Sequence, residues 1–257
     1  INSEEYISSV YSASKKVHDA LKSNGQIFIT TIPNIQIRFD DEYSISSTFA
    51  RVGRFQLNND NKDIEYLVKP INQENEMLPI LNRFELDIMV MKDLFPGELQ
   101  LQKSLAKNPQ LLRQIIQNDV SKYGWQQYAA SYMIDSGFGG GENYAYVLTS
   151  LYNELQIAGL SWMELQIGYH ELDATKIVNE LAKKINISKK DSKEFVDNIV
   201  GQPLHFTKQL IGAIEMERLL LDYKRKNENT VSLREFHAKI LNEGSIPISQ
   251  LRKMILN

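Results

Sequence analysis

The sequence predicts a mainly helical fold with a small β-sheet near the N-terminus, an α+β arrangement. From about residue 78 to the C-terminus, apolar residues recur at three- and four-residue steps, which indicates amphipathic helices. Between residues 27 and 60, β-branched and aromatic residues concentrate in short runs, which indicates strands. The chain has 257 residues, of which 42% are hydrophobic. We therefore expect one domain over residues 1–257, with a β-subdomain at 27–60 and a helical part at 78–257.

The N-terminal elements follow from periodicity and turn residues. One helix is expected over residues 6–21, closed by Gly25, because its apolar and small residues lie at helical spacing. These residues are Tyr6, Val10, Ala13, Val17 and Leu21. Strands are expected at 27–32, 43–49 and 53–57, and the Asn- and Asp-rich residues 58–61 predict a loop.

In the helical part, Pro96-Gly97 breaks the chain after an apolar face at residues 81–90. A second apolar face is expected from Leu111 to Val120. The C-terminus is the best specified segment, since Ser232 and Glu235 form a capping box, Gly244 ends the helix and Pro247 begins the next one.

Composition excludes several classes of function. The 29 basic and 32 acidic residues are mixed along the chain, so we expect no nucleic-acid partner. The absence of cysteine excludes disulfides, thiolate-bound zinc and cysteine nucleophiles. No apolar run is long enough to predict a transmembrane segment. Because the chain begins with Ile1, we expect it to be the C-terminal part of a longer chain.

No ready-made catalytic motif is present. The four histidines, His18, His170, His205 and His237, are all more than five residues apart, so no pair lies one helical turn apart as in zinc hydrolases. The acidic residues around the break, Glu85, Asp87, Asp93 and Glu98, are expected to form a solvated fringe, with a hard-cation site as the alternative. The row Trp125, Tyr128 and Tyr132 has helical spacing and predicts core packing, with a ligand-stacking surface as the alternative.

Several stretches in order resemble one family, the bacterial proteins of domain-of-unknown-function 885. Residues 92–98 resemble that family's His-Glu-x-x-Pro-Gly-His helix, and residues 123–129 its Glu-Gly-Trp-Ala-x-Tyr-Ala segment. Residues 166–170 are similar to its Asp-x-Gly-x-His motif, and Pro203 to Gly212 to a Pro-Gly-Gln-Ala stretch ending in Tyr-x-x-Gly. The best match is Phe236-His237 through Leu241, Gly244 and Pro247 to Phe-His-x-x-x-Leu-x-x-Gly-x-x-Pro.

The resemblance implies a multi-helix, zincin-like (gluzincin-like) metallopeptidase fold, with this chain as its C-terminal half and its metal site degenerate. The positions that match the family's zinc ligands are Lys92, Glu98 and Tyr123, and the general-base position is Asp93. An ammonium cannot bind a dication. The resemblance thus implies that the zinc cofactor is lost, and we further expect Lys92 and Glu98 to form an ion pair across the break.

The resemblance also frames the functional expectations. A candidate cleft is lined by Trp125, His170, His205 and Gln209, and it would bind a peptide or protein partner without catalysis. The alternative is an active hydrolase with an unconventional metal or carboxylate centre, built from Asp93, Glu98 and Tyr123 with His170. A third reading is a purely structural or interaction module. The resemblance implies an exported or periplasmic location, with lipid anchoring through an upstream segment.

Overall fold

The computed structural model is mainly helical. It describes residues 3–25, 27, 35–39, 50–52, 64–68, 82–170, 173–184, 196, 199, 201–227 and 232–257. Its helices are α1 (Ser3–Asn24), α2 (Arg83–Asp93), α3 (Glu98–Ala106), α4 (Leu111–Ile115), α5 (Asp119–Asp135), α6 (Asn143–Gly168), α7 (Ala174–Lys184), α8 (His205–Lys226), α9 (Leu233–Glu243) and α10 (Ile248–Leu256), with a 3-10 turn at Gly140–Glu142. No described helix is long and apolar enough to cross a membrane.

A three-stranded sheet lies near the N-terminus, as the sequence predicts, but its strands are not the predicted ones. They are β1 (Ile35–Phe39), β2 (Ala50–Val52) and β3 (Ile64–Val68). The central strand β3 pairs in parallel with β1 and antiparallel with β2. The sheet therefore extends beyond the expected limit of residue 60. Ile27 lies in a bend, and the rest of the three predicted strands lies outside the described residues.

Two apolar cores share one helix, α5. The first core joins α1, the sheet, α2 and the start of α6, and the second joins α3, α8, α9 and α10. Helix α5 gives Ala130, Met133 and Ile134 to the first core, and Trp125, Tyr128 and Ala129 to the second. The predicted core packing of the aromatic row is thereby confirmed for Trp125 and Tyr128. The expected buried face of α1 is also confirmed, since Tyr6, Val10, Ala13, Val17 and Leu21 are all buried.

The predicted apolar face from Leu111 to Val120 is wrong as a core face. Its first four apolar residues lie in the short helix α4 and at its end, and they are exposed, whereas Val120 lies in the first turn of α5 and packs against the second core. The four exposed residues are Leu111, Leu112, Ile115 and Ile116. The three- and four-residue spacing occurs in a helix of only five residues, which is too short to present one long face to a core.

The break after α2 is confirmed and has a close-packing cause. A Cβ atom on Gly97 would lie 1.9 Å from the Lys92 carbonyl oxygen, so only glycine fits there. The Gly97 amide donates to the Met91 carbonyl at 2.9 Å. The buried indole Nε1 of Trp125 donates to the carbonyl oxygen of Pro96 at 3.0 Å. The break is therefore held from both sides, by α2 and by α5.

Helices α5 and α8 cross where two glycines face each other. A Cβ atom on Gly124 would lie 2.5 Å from the Gly212 carbonyl oxygen, and one on Gly212 would lie 2.2 Å from the Val120 carbonyl oxygen. Real Cβ atoms do not approach so closely, so both positions require glycine. This close crossing sets the distance between Tyr123 on α5 and the first turn of α8.

Candidate functional site

The four positions singled out by the resemblance lie on three neighbouring helices. Lys92 and Asp93 end α2, Glu98 begins α3, and Tyr123 lies in the first half of α5. All four side chains are half-buried. The break at Gly97 brings the end of α2 next to the start of α3, and Trp125 fixes both against α5. The local fold therefore places these residues around one region.

Asp93 is held by the sheet. The Tyr66 hydroxyl, on strand β3, donates to Asp93 Oδ2 at 2.7 Å. Burial raises the pKa of Asp93 to about 7, although the Tyr66 hydrogen bond acts to lower it. Glu98 adds to the rise, whereas Lys92 lowers this pKa. Near neutral pH the carboxyl is therefore divided between its protonated and ionised forms.

A second buried hydroxyl belongs to the surroundings of Asp93. Tyr6, on α1, is buried, and its hydroxyl has no hydrogen-bond partner among the described residues. Burial raises the pKa of Tyr6 to about 12, and repulsion from an ionised Asp93 adds to the rise. Burial also raises the pKa of Tyr66, so both tyrosines remain neutral at physiological pH, and the Tyr66 hydroxyl is the one that donates to this carboxylate.

Three donors bind the Glu98 carboxylate. We call Glu98 and these three side chains the Glu98 cluster. Lys122 Nζ lies 2.7 Å from Glu98 Oε1, and Gln102 Nε2 donates to the same oxygen at 2.7 Å. Gln126 Nε2 donates to Oε2, also at 2.7 Å. The expectation of an ion pair between Lys92 and Glu98 is wrong. The Lys92 ammonium does not lie within 4.0 Å of the Glu98 carboxylate, which pairs with Lys122 instead. The cause is geometric: Lys122 reaches across from α5, while Lys92 ends the preceding helix.

Lys92 has a different environment. Burial lowers the pKa of the Lys92 ammonium to about 8, and the nearby carboxylates of Asp93 and Glu154 act to raise it. No described residue forms a hydrogen bond or ion pair with its Nζ. A half-buried cation at this position repels a metal ion.

Tyr123 connects the Glu98 cluster to the start of α8. Lys122 Nζ lies 5.6 Å from the centre of the Tyr123 ring, which in turn meets the His205 ring edge-on with centroids 5.3 Å apart. His205 Nε2 lies 2.8 Å from Gln209 Nε2, and Gln127 donates to Gln209 Oε1 at 3.3 Å. Burial lowers the pKa of His205, so this ring is neutral near pH 7. Two of the predicted cleft residues, His205 and Gln209, therefore lie beside Tyr123.

The first turn of α8 is capped by a buried carboxylate that sequence reasoning missed. Glu164 of α6 accepts hydrogen bonds from the backbone amides of Phe206 and Thr207, at 3.1 and 2.7 Å, and from the Thr207 hydroxyl at 2.7 Å. The exposed N–H groups at a helix start favour such an anion. This cap positions His205. The sequence signal that could have indicated this cap is an acidic residue, Glu164, within a largely apolar helix.

Two residues of the predicted cleft do not line it. Trp125 is fully buried and holds the break, because its bulky ring fits beside the close contact at Gly124. His170 is exposed just after α6, where its ring contacts Tyr169. No contact between His170 and Asp93, Glu98 or Tyr123 appears among the described residues. His170 therefore does not join the centre expected for an unconventional hydrolase.

The expectation of a solvated acidic fringe is also wrong. Asp87 is buried, with Lys16 Nζ at 2.8 Å and the Tyr146 hydroxyl donating at 2.5 Å. Asp93 and Glu98 are half-buried and bound as described above. Helix α2 turns Asp87 inward because α1, the sheet and α6 cover it. Asp87 thus ties three helices together.

The donor set does not fit a zinc ion. Among the described residues, no group of three His, Cys, Asp or Glu side chains could hold a metal. Glu98 already binds three donors, and Lys92 is cationic. Both features oppose the binding of a dication, which requires deprotonated ligands with free lone pairs.

Comparison with known proteins decides the family. A family model described as "Bacterial protein of unknown function (DUF885)" matches residues 5–255. The chain belongs to this family. No curated protein matches it. The resemblance drawn from residues 92–98 and the later motifs is thereby confirmed at the level of the family.

Two solved structures share the fold of this DUF885 chain. One is a putative lipoprotein of unknown function from Shewanella oneidensis, with a TM-score of 0.83 and 16% identity over 100% of this chain and 46% of that one. The other is a putative lipoprotein from Colwellia psychrerythraea, with a TM-score of 0.83 and 15% identity over 98% of this chain and 42% of that one. The chain therefore spans less than half of the length of either structure.

Proposed function

We propose that this DUF885 chain is a metallopeptidase-like domain that has lost its zinc ligands and binds a peptide or protein partner. The supporting observation is the Glu98 cluster. A position that the resemblance assigns to a metal-binding histidine holds a carboxylate neutralised by Lys122 and bound by two glutamines. An internal charge pair replaces the cation that the family's ligands would hold. This substitution preserves the local packing and removes the metal.

The environment of Asp93 supports the same proposal. A general base in a zinc hydrolase must be ionised and near a metal-bound water. Asp93 instead accepts a hydrogen bond from Tyr66 and has a pKa raised to about 7 by burial. The carboxyl therefore serves to connect the sheet to the end of α2.

Metal content and turnover test the proposal together. The 257-residue chain would be purified without chelator, analysed for metals by mass spectrometry, and assayed against a peptide mixture with added zinc. We expect zinc far below one ion per chain and no peptide cleavage above that of a heat-denatured sample. One zinc per chain, or zinc-dependent cleavage, would refute the proposal.

A carboxylate-based hydrolase is the second candidate. The pKa of Asp93, raised to about 7, suits a group that both accepts and donates a proton near neutral pH. If this candidate is correct, chelated samples still cleave peptides, with a pH profile that shifts or disappears in Asp93→Asn. Equal activity of wild type and Asp93→Asn at every pH would exclude it.

We also propose that the DUF885 chain works outside the cytoplasmic membrane, in a protein attached to lipid. The support is that both solved structures of the same fold are named putative lipoproteins. Fractionation of cells producing the native protein tests this, with recovery in the membrane fraction and release by detergent as the expected result. Recovery with cytoplasmic markers would contradict it.

A further inference from the structure

Helices α6 and α8 pack side by side and run in opposite directions. The hydroxyls of Ser161 and Thr207 lie 3.1 Å apart, which places the later part of α6 beside the start of α8. Glu154, earlier in α6, interacts with Glu217, later in α8. The pair therefore forms a continuous two-helix surface.

This surface is apolar over several helical turns. Leu148, Leu151 and Leu155 of α6 are 68%, 56% and 51% exposed, and their spacing of three and four residues puts them on one face. Ile214 and Leu221 of α8, seven residues apart, are 40% and 52% exposed. Single exposed apolar residues are ordinary, but a row on two packed helices indicates a binding surface. We call these five side chains the α6–α8 face.

The α6–α8 face carries two carboxylates, Glu154 and Glu217, that have no cation partner among the described residues. Arg218, the nearest cation along α8, pairs with Glu215 at 2.8 Å. Glu217 lies between Ile214 and Leu221 along α8, and Glu154 adjoins Leu155 on α6. Burial raises the pKa of Glu217, and repulsion from Glu154 and Asp135 adds to the rise. No ion pair within 4.0 Å joins these three carboxylates to a cation of the described chain.

Lys92, at the end of α2, is a cation close enough to interact with Glu154. Glu154 attracts the Lys92 ammonium and so opposes the lowering of its pKa by burial, yet the two form no ion pair among the described residues. The α6–α8 face therefore presents a row of apolar side chains with an uncompensated negative edge, next to the end of α2.

We propose that the α6–α8 face binds an amphipathic helix of a protein partner, one with lysine or arginine along the edge of its apolar side. The inference deepens the proposed function and rests on the partner-binding part of it. Two antiparallel helices offer a groove into which the side chains of a third helix pack. Leu148 and Leu155 are seven residues apart, so they span about 10 Å, which matches two turns of a partner helix.

The choice of a basic partner follows from charge. A basic side chain placed beside Glu154 and Glu217 relieves the repulsion between them and forms charge-assisted hydrogen bonds. An acidic or uncharged helix would bury these carboxylates without compensation, which is unfavourable. Many amphipathic helices could cover the leucines of the α6–α8 face, and the carboxylates of Glu154 and Glu217 favour those with basic side chains.

Peptide binding to the full 257-residue chain tests the inference. The probe is a fluorescein-labelled 18-residue helical peptide with leucines on one face and lysines on its edges. Its controls are the same peptide with every lysine replaced by glutamate, and a scrambled peptide. By fluorescence anisotropy, we expect the basic peptide to bind at least about tenfold more tightly than either control.

Variants assign the binding to the surface. The double variant Glu154→Lys, Glu217→Lys should bind the basic peptide at least about tenfold more weakly than wild type does, and it should bind the acidic peptide more tightly. Leu151→Ser should lower the affinity for both peptides. The matched controls, Leu112→Ser on α4 and Asp19→Lys on α1, should leave both affinities unchanged. Circular dichroism checks that each variant is folded.

Three results would overturn the inference. They are no binding of the basic peptide at about 100 µM, equal affinity of wild type and the charge-reversed variant, and a dimer in sedimentation that Leu151→Ser dissociates. The last would assign the face to a second copy of this chain. Metal analysis is independent of all three, so a failure here leaves the loss of zinc to be judged separately.

Discussion

Glu98 stands where the resemblance places a metal ligand, and its two oxygens receive Lys122, Gln102 and Gln126 at 2.7 Å each. A carboxylate so bound has its charge neutralised and its lone pairs occupied. The pair is only slightly exposed, with 21% of the Lys122 side chain and 16% of the Glu98 side chain accessible. Because both side chains are largely buried, removal of one partner should lower the free energy of unfolding, since the other charge is left without its counter-ion.

Lys122→Met should therefore destabilise the chain more than the double variant with Glu98→Gln. The single change leaves a half-buried carboxylate without its cation, which costs about 1–3 kcal/mol in the free energy of unfolding. The double variant removes both charges and should recover most of that loss. Urea denaturation of wild type, both single variants and the double variant measures the coupling. Additive losses would contradict the structural pairing.

Asp93 gives a pH dependence of known sign. Its pKa is raised in the folded state to about 7, from 3.8, so between these values the folded chain holds a proton that the unfolded chain releases. Stability from this group is therefore present below about pH 4 and declines up to about pH 7. Asp93→Asn, which remains neutral, should remove that decline. Urea midpoints measured every half pH unit test this, and parallel curves for the two proteins would contradict it.

At the scale of elements, the crossing of α5 and α8 controls the site, because it positions Tyr123 against His205. Gly212→Ala should destabilise the chain by about 2–4 kcal/mol, since the new Cβ would lie 2.2 Å from the Val120 carbonyl oxygen and the helices must separate. Thermal unfolding measures the loss.

Gly168→Ala is the matched control for that prediction. Gly168 ends α6, and an added Cβ there meets no atom within 4 Å. Alanine has the higher helix propensity, so this change should be neutral or stabilising by up to about 1 kcal/mol. Equal losses at both glycines would show that the close crossing is not what constrains Gly212.

Elements with a local cause could be predicted from the sequence. The capping interaction of Ser232 with the Glu235 amide, at 3.4 Å, and the stop at Gly244, where φ is +74°, both follow from neighbouring residues. The strands of the sheet were harder to predict from the sequence. The central strand β3 pairs with segments far away in the chain, and its burial pattern lacks the alternation that marks a one-sided strand. The local signal of β1, alternation from Ile35 to Phe39, was present and was missed.

At the scale of the whole molecule, the family and the mainly helical α+β class could be predicted, but the chemistry around the site could not. Tyr66, Lys122 and Glu164 reach the site from a strand and two other helices, and no local pattern pairs them with Asp93, Glu98 or the start of α8. Such contacts depend on the packing of distant elements. The order of motifs located the region, and only the three-dimensional arrangement identified the partners of each carboxylate.

Restoring the family's residues tests the central claim, that a charge pair has replaced a metal site, most directly. Zinc would be titrated by calorimetry into wild type and into a variant with Lys92→His, Asp93→Glu, Glu98→His and Tyr123→Glu. We predict no saturable binding to wild type, and one zinc per chain in the folded variant with micromolar or tighter affinity. Stoichiometric zinc binding by wild type, or none by a folded variant, would contradict the claim.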